Sequence, residues 1–173
     1  MSFIHSETER IIKKHKTRNP YELLNAIGAV TRISNEYSKD GLKGYCIILN
    51  RCMYAVINGK LNETDQKIAA GHEAAHLILH KDQIRNSPAK AMRDFNLYDN
   101  SSLAEREANF FLADFIITDE EALDATMMAD DYFTAASSLY IPAPLFAFKL
   151  YSMMQRGFEV RNPAELNSRF LRR

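Results

Sequence analysis

The chain of 173 residues is long enough for one domain with a hydrophobic core and too short for two large domains. Lysine plus arginine and aspartate plus glutamate both total 22, so the net charge is zero and the composition gives no support for binding to nucleic acid or an anionic membrane. Because no apolar run approaches the roughly 20 residues that span a bilayer, and the N-terminus contains acidic residues where a secretion signal is apolar, we expect a cytoplasmic protein.

Two helices are predicted at the start of the chain. Residues 6–17 begin with a serine and end with cations, which suits the helix dipole at both ends. In the second helix Asn19 is the expected N-cap, Pro20 fills the first position and Glu22 completes a capping box. Gly28 is expected to end this helix.

The composition changes between Ala29 and Asn58, where β-branched and aromatic residues dominate. The segments AVTRI, GYCIIL and CMYAVI predict three short strands, which we expect to form a small antiparallel sheet. Cys46 and Cys52 lie in this stretch, and we expect both to be reduced thiols in the core.

Helical periodicity returns after the strands. A long helix is predicted from Asn62 or Thr64, and residues 81–101 are predicted to form a connecting loop with room for a short helix. A second strong helix covers 102–117, Thr118 starts another through a capping box, and two last helices are separated at 141–144. We expect an α+β fold with one domain at 1–129 and a C-terminal helical extension at 130–173 packed on it, ending in a solvated basic tail.

The stretch GHEAAHLILH, residues 71–80, carries the strongest chemical signal. His72 and His76 are four residues apart on one helix face, so both imidazoles can bind the same ion. Glu73 lies one step round the helix, where it is poorly placed as a ligand but can reach a water molecule beside that ion. Two imidazoles suit zinc, and with one carboxylate they leave a coordination position open for water.

A pair of histidines beside a glutamate also occurs on solvated helix faces, and this alternative has to be weighed. The flanking residues favour a buried helix, in which a metal would satisfy both imidazoles; they are Ala74, Ala75, Leu77, Ile78 and Leu79. His80 lies one further turn along and cannot easily converge on the same ion. We therefore assign His80 to the surroundings of the site and not to the ligand set.

A further ligand is expected from the later helix, in the stretch LAEREANFFLADFII. Glu105 lies on the face predicted to pack inward, where a carboxylate needs an ion or a donor, so it is the expected ligand. Ser102 and Glu105 also fit a capping box, which is the alternative role, and Glu107 is the substitute ligand. Asn109 could fix the tautomer of a ligand histidine through a hydrogen bond.

Four segments in this order resemble the ImmA/IrrE family of metallopeptidases, within residues 19–118: NPYELLNAIGA, GYCIILN, AAGHEAAHLILH and EREANFFLADFI. The resemblance implies a zincin-like fold in which His72, His76 and Glu105 bind the metal and Glu73 is the catalytic base. It also implies cleavage of helix-turn-helix repressors, commonly those of phages and integrated mobile elements. The chain departs from the family pattern at Phe111-Leu112, where small residues are usual, and at Thr118, where a proline is usual.

We accordingly expect a metalloendopeptidase that uses Zn²⁺ or Mn²⁺ and acts on a protein substrate, a transcriptional repressor. Glu73 would take a proton from the attacking water, and the strand before Asn58 could hold an extended peptide by edge pairing. His80, Tyr98 and Tyr54 are the candidates for the oxyanion donor.

Two other functions stay open at this point. The first is a non-catalytic binding protein that keeps the metal site as a structural or sensory clip and docks on a repressor. The second is DNA binding through the helix pair at 135–154. Because its faces carry Lys149 but few other cations, a packing role is favoured for that pair.

Overall fold

The computed structural model describes residues 2–160, and within that range the chain forms eight helices and four strands. The helices are α1 (Ser2–His15), α2 (Pro20–Ala26), α3 (Glu63–Leu79), α4 (Lys81–Asn86), α5 (Leu103–Ile116), α6 (Asp119–Met128), α7 (Tyr132–Ser138) and α8 (Ala143–Gln155). The strands are β1 (Ala29–Ser34), β2 (Gly44–Leu49), β3 (Cys52–Asn58) and β4 (Ala91–Asp94). The α+β class predicted from the sequence is confirmed.

Side-chain caps fix where several helices begin. Asn19 caps α2, Asn62 caps α3, and Thr118 forms a full capping box at the start of α6, as predicted. The predicted capping box with Glu22 is wrong, because the backbone N–H of Asn19 donates to the hydroxyl of Thr17 instead. The hydroxyl of Thr17 in turn donates to the Glu22 carboxylate.

The first helix is longer at its N-terminus than the sequence predicts. It begins at Ser2 and not at Ser6. Ile4 and Ile11 are both buried, so apolar packing holds a first turn that carries no capping signal.

The strands form one mixed sheet in the order β1-β3-β2-β4. β2 and β3 are an antiparallel hairpin, and both residues of its turn, Asn50 and Arg51, have positive φ angles of 49° and 68°. β1 pairs with the other side of β3 and runs parallel to it. The prediction of an all-antiparallel sheet is therefore wrong, because residues 35–43 carry the chain past β3 before the hairpin begins.

The fourth strand is a second difference from the prediction. β4 lies in the segment predicted to be a loop, after the short α4, and it pairs antiparallel with β2 so that Asp94 is opposite Gly44. Four residues are too few for a clear alternating pattern in the sequence. Because β3 is paired on both sides, the expectation that it holds a substrate by edge pairing is also wrong.

α3 lies at the centre of the fold, between the sheet and α5. Its alanines are buried, and at Gly71 a β-carbon would lie 2.4 Å from Cδ1 of Leu112 on α5. The absence of a side chain at Gly71 thus permits the close approach of the two helices. His72, the next residue, contacts the first turn of α5.

The remaining expectations concern the cysteines and the C-terminal helices. Both cysteines are free; Cys46 is buried as predicted, whereas Cys52 is exposed beside the hairpin turn, so the expectation of a core thiol is wrong there. α8 packs against α5 and α6. The domain boundary at residue 129 stays a prediction, and the basic tail at 168–173 lies outside the described residues. Among residues 2–160 no helix has both the length and the apolar character needed to cross a bilayer.

Candidate metal centre

α3 places His72, Glu73 and His76 in the interior of the protein, where each has 0% exposure. The sheet covers one side of this helix and α5 covers the other. The alternative of a solvated helix face is therefore excluded. Each of these polar side chains needs a partner inside the protein.

The imidazoles of His72 and His76 point to the same place, with their Nε2 atoms 3.0 Å apart. Glu105 joins them from the first turn of α5. Its Oε2 lies 3.0 Å from Nε2 of His72, and its Oε1 lies 3.4 Å from Nε2 of His76. Because two ligands of a tetrahedral zinc ion are about 3.3 Å apart at ordinary bond lengths, the three side chains have the spacing that one ion requires.

The capping role weighed for Glu105 is only half realised. Ser102 accepts a hydrogen bond from the backbone N–H of Glu105 at 3.2 Å, while the Glu105 carboxylate turns to the histidines. Burial disfavours the charged carboxylate, but hydrogen bonds from His72 and His76 outweigh burial and hold the pKa of Glu105 well below its ordinary value. Burial likewise opposes protonation of His72, yet the Glu105 hydrogen bond and the charge of Asp94 raise the pKa of His72.

Asp94, the last residue of β4, is a fourth member of this cluster that the sequence analysis missed. Its Oδ2 lies 3.7 Å from Nε2 of His72, and its Oδ1 lies 3.9 Å from Nε2 of His76. One ligand atom from each of Asp94, His72, His76 and Glu105 lies within 4.8 Å of the others. The only sequence signal was an acidic residue in a supposed loop, which is too common to select.

The donor set of this cluster fits a divalent cation. Two Nε2 atoms face each other at 3.0 Å beside two carboxylates, and the lone pairs and negative charges repel unless protons or a cation lie between them. Imidazole and carboxylate are ligands that Zn²⁺ binds at about 2.0–2.2 Å. The same donors also suit Mn²⁺.

Glu73 lies beside the cluster and takes no part in it. Within residues 2–160 both of its carboxylate oxygens are buried and make no hydrogen bond of normal length, while Asp94 and the thiol of Cys46 lie close enough to interact with it. Burial first, and the charge of Asp94 second, raise the pKa of Glu73 well above its ordinary value. Gly44 leaves the space for this carboxylate, because a β-carbon there would lie 2.6 Å from Oε1 of Glu73. A buried carboxyl group in this position can exchange a proton closer to neutral pH than an exposed one.

The other predicted residues on the two helices lie outside the cluster. Nε2 of His80 is 3.1 Å from the carbonyl oxygen of Ala104, and burial followed by the charge of His76 lowers the pKa of His80 to about 4. Neutral His80 therefore donates to that carbonyl group. Glu107 lies 3.8 Å from Nε2 of His80, so of the two candidate glutamates it is Glu105 that reaches the histidines.

Asn109, within α5, is buried, and Tyr98, in the connection before that helix, is partly buried. Nδ2 of Asn109 donates to the carbonyl oxygen of Asp99 at 2.7 Å, while Oδ1 of Asn109 and Nδ1 of His72 have no hydrogen-bond partner. The predicted role of Asn109 in fixing a histidine tautomer stays a prediction. The Tyr98 hydroxyl is also without a partner, and burial and the charge of Asp65 raise its pKa.

Comparison with known proteins identifies the family. The model of Peptidase M78, described as the IrrE N-terminal-like domain, matches residues 32–151. The chain belongs to the ImmA/IrrE family. An uncharacterized immunity region protein 2 of Bacillus phage phi105 is 31% identical over 118 residues, which is 68% of this chain and 70% of that protein. No solved structure matches. The range matched by the family model contains all four residues of the cluster.

The departures of this ImmA/IrrE chain from the family pattern lie in helix packing. Phe111 and Leu112 are fully buried, and Leu112 packs over Gly71. Thr118 caps α6. None of the three belongs to the cluster of possible metal ligands.

Replacing Gly44 with alanine tests the position of Glu73 in this ImmA/IrrE site. Since the new β-carbon would displace the Glu73 carboxylate by roughly an ångström, we expect the rate of substrate cleavage to fall about 100-fold with the zinc content unchanged. Cleavage rates and metal analysis of the same samples measure the two effects. In a Glu73→Asp background the shorter side chain leaves room for the new β-carbon. Gly44→Ala should therefore reduce the cleavage rate of that variant much less than it reduces the wild-type rate. Equal losses in both backgrounds would contradict this explanation.

Proposed function

We propose that the protein is a metal-dependent endopeptidase of ImmA/IrrE type that hydrolyses a peptide bond in a helix-turn-helix transcriptional repressor of a phage or mobile element. The observation that carries the proposal is the convergence of His72, His76 and Glu105 with the unpartnered carboxylate of Glu73 beside them. Membership of a peptidase family supports the reaction, and the phage immunity region protein supports the class of substrate.

In this proposal His72, His76 and Glu105 hold Zn²⁺, with Mn²⁺ as the other candidate. When bound, the ion supplies a Lewis acid for hydrolysis of the peptide bond. Glu73 accepts a proton from the attacking water at one carboxylate oxygen and delivers it to the nitrogen of the leaving amine. Burial of both histidines and of Glu73 keeps bulk water away from these transfers.

One observation favours a second candidate, a metal-containing protein that docks on a repressor without cutting it. The cluster offers four protein side chains, and structural zinc sites are filled by protein ligands whereas catalytic sites keep one position open. The position of Glu73 argues for the peptidase, because a structural site gains nothing from a buried carboxylate without a partner.

Metal removal separates the two candidates. The purified protein is incubated with the purified helix-turn-helix repressor whose gene neighbours its own, and fragments are identified by mass spectrometry. We expect one specific cut that is lost after treatment with 1,10-phenanthroline and restored by Zn²⁺ or Mn²⁺. An intact repressor that still binds the metal-loaded protein would contradict the peptidase and support the docking protein.

A further inference from the structure

We infer that β4 is a blocking strand: Asp94 fills the fourth coordination position of the metal, and residues 91–94 cover the edge of β2 that an extended substrate would use. Catalysis then requires β4 to leave β2. This inference rests on the proposed peptidase function and adds its regulation. The structure described above is the closed state of such an enzyme.

The first argument is the coordination of Asp94. Asp94 is 4% exposed, and its two oxygens lie 3.7 and 3.9 Å from the Nε2 atoms of His72 and His76. Within the described residues Oδ2 makes no hydrogen bond of normal length, although the Glu73 carboxyl group lies near enough to interact with Asp94. With His72, His76 and Glu105 it offers four candidate ligand atoms that lie within 4.8 Å of one another. A tetrahedral ion held by all four has no position left for water, which is the arrangement of a structural site.

The second argument is the place of β4 in the sheet. It pairs with β2 from Gly44 to Ile47, and the backbone N–H of Ile48 donates to the carbonyl oxygen of Lys90 at 3.0 Å. β2 begins at Gly44, directly beside Glu73. Without β4 this edge of β2 would present unpaired N–H and C=O groups next to the proposed base, and such edges bind extended peptides. β4 therefore occupies the main-chain groups on the edge of β2 that lies next to Glu73 and becomes the edge strand of the sheet itself.

The third argument is that little side-chain burial holds β4 in place. Of its four residues only Asp94 is buried, while Arg93 is exposed and Ala91 and Met92 are partly exposed. Phe95, the next residue, is 65% exposed. Segments with few buried apolar contacts open at low free-energy cost. The contacts that must break here are the short ladder to β2, the hydrogen bond from the Lys43 N–H to the Asp94 carbonyl oxygen, the packing of Met92 on the core, and the contact of Asp94 with the metal.

The first test measures whether Asp94 occupies a coordination position of the metal. Wild type, Asp94→Asn and the control Asp82→Asn, whose side chain is 90% exposed, are loaded with Co²⁺ and titrated with acetohydroxamate, with visible absorption as the readout. We expect hydroxamate to bind Asp94→Asn at least about tenfold more tightly than wild type and the control, because no carboxylate must first be displaced. Equal affinities in the three proteins would overturn the inference.

The second test keeps Asp94 and prevents β4 from leaving. Because Ile48 and Lys90 are a hydrogen-bonded pair, Ile47 and Ala91 are the neighbouring non-hydrogen-bonded pair, whose side chains are close. Ile47→Cys with Ala91→Cys, in a Cys52→Ser background, should therefore form a disulfide across the two strands. These side chains lie on the sheet face opposite Cys46, away from Glu73.

The oxidised protein is loaded with Co²⁺ and titrated with acetohydroxamate before and after reduction, and each single-cysteine variant is the control. We expect the disulfide to abolish hydroxamate binding and reduction to restore the wild-type affinity. The hydroxamate affinity of each single-cysteine variant should not change on oxidation or reduction. Hydroxamate binding that is unchanged by the disulfide would overturn the inference. Hydroxamate binding needs no peptide hydrolysis, so failure of the proposed function is detected separately by the repressor cleavage assay.

Discussion

Replacing Glu73 with glutamine is expected to reduce kcat/KM for repressor cleavage by about 10²–10⁴-fold while the zinc content stays at the wild-type level. Glutamine has nearly the same shape, so it fits the space beside Gly44, but its amide cannot accept the proton of the attacking water. Glu73 is not part of the ligand cluster, so the metal should remain bound. Cleavage rates and metal analysis of one preparation test both statements.

The matched control is Glu107→Gln, which makes the same chemical change two residues after Glu105. Glu107 lies outside the cluster and 3.8 Å from His80, so its replacement should leave both cleavage and zinc content close to wild type. If Glu73→Gln cleaves at the wild-type rate, the proposed base is wrong. If it does not retain zinc, Glu73 supports the metal and the assignment of roles has to change.

Replacing Lys149 with methionine is expected to lower the free energy of unfolding by about 3–5 kcal/mol, the largest effect on stability among these predictions. Lys149 is 1% exposed, and its Nζ lies 2.9 Å from Oδ1 of Asp114 and 2.7 Å from Oδ1 of Asp119. Methionine fills a similar volume but removes the Lys149 ammonium group from the buried Asp114 carboxylate, which keeps its hydrogen bonds with His5 and Ser152 and the charge of Arg156 at 3.9 Å. Urea denaturation of both proteins at neutral pH measures the difference.

The size of this effect should depend on pH. Arg156 first, and then Lys149, hold the pKa of Asp119 well below its ordinary value. A carboxyl group whose pKa is lowered in the folded state stabilises the fold at pH values above its ordinary pKa. This contribution is lost as the pH falls toward the lowered pKa. The difference in the free energy of unfolding between wild type and Lys149→Met should therefore become smaller below about pH 4. Lys67→Met is the control, because Lys67 pairs with exposed Glu63 and should change stability by less than about 0.5 kcal/mol. A similar loss in both variants would contradict the role of burial.

Lys149 also bears on the alternative of DNA binding through the C-terminal helices. In the sequence Lys149 is the main cation of that helix pair, a composition that favours packing. In the structure Lys149 is 1% exposed and pairs with buried Asp114 and with Asp119, whose side chain is 30% exposed, so these two carboxylates offset its charge. The packing interpretation is confirmed for Lys149.

The sequence could predict what local interactions determine. The caps at Asn19, Asn62 and Thr118 are set by a few neighbouring residues, and the structure contains all three. The convergence of His72 and His76 follows from helix geometry alone. Glu105 rather than Glu107 lies beside His72 in the structure, on the face of α5 that its pattern of apolar residues predicts to point inward, and its role as a metal ligand stays a prediction.

The features that the sequence could not predict depend on contacts between distant segments. The parallel pairing of β1 with β3 depends on the path of residues 35–43, which no residue pattern specifies. Asp94 reaches the histidines only because β4 adds to β2, and a strand of four residues has no recognisable period. The predicted capping box of α2 is absent because the Glu22 carboxylate accepts a hydrogen bond from the hydroxyl of Thr17 and not from the backbone of Asn19.

The proposed peptidase needs one cation shared by His72, His76 and Glu105. The most direct measurement is anomalous diffraction at the zinc absorption edge from crystals of the zinc-loaded protein. We expect a single strong peak at about 2.0–2.2 Å from Nε2 of both histidines and from a carboxylate oxygen of Glu105. A zinc-loaded crystal with no peak among these three side chains, or with its peak elsewhere in the molecule, would contradict the account.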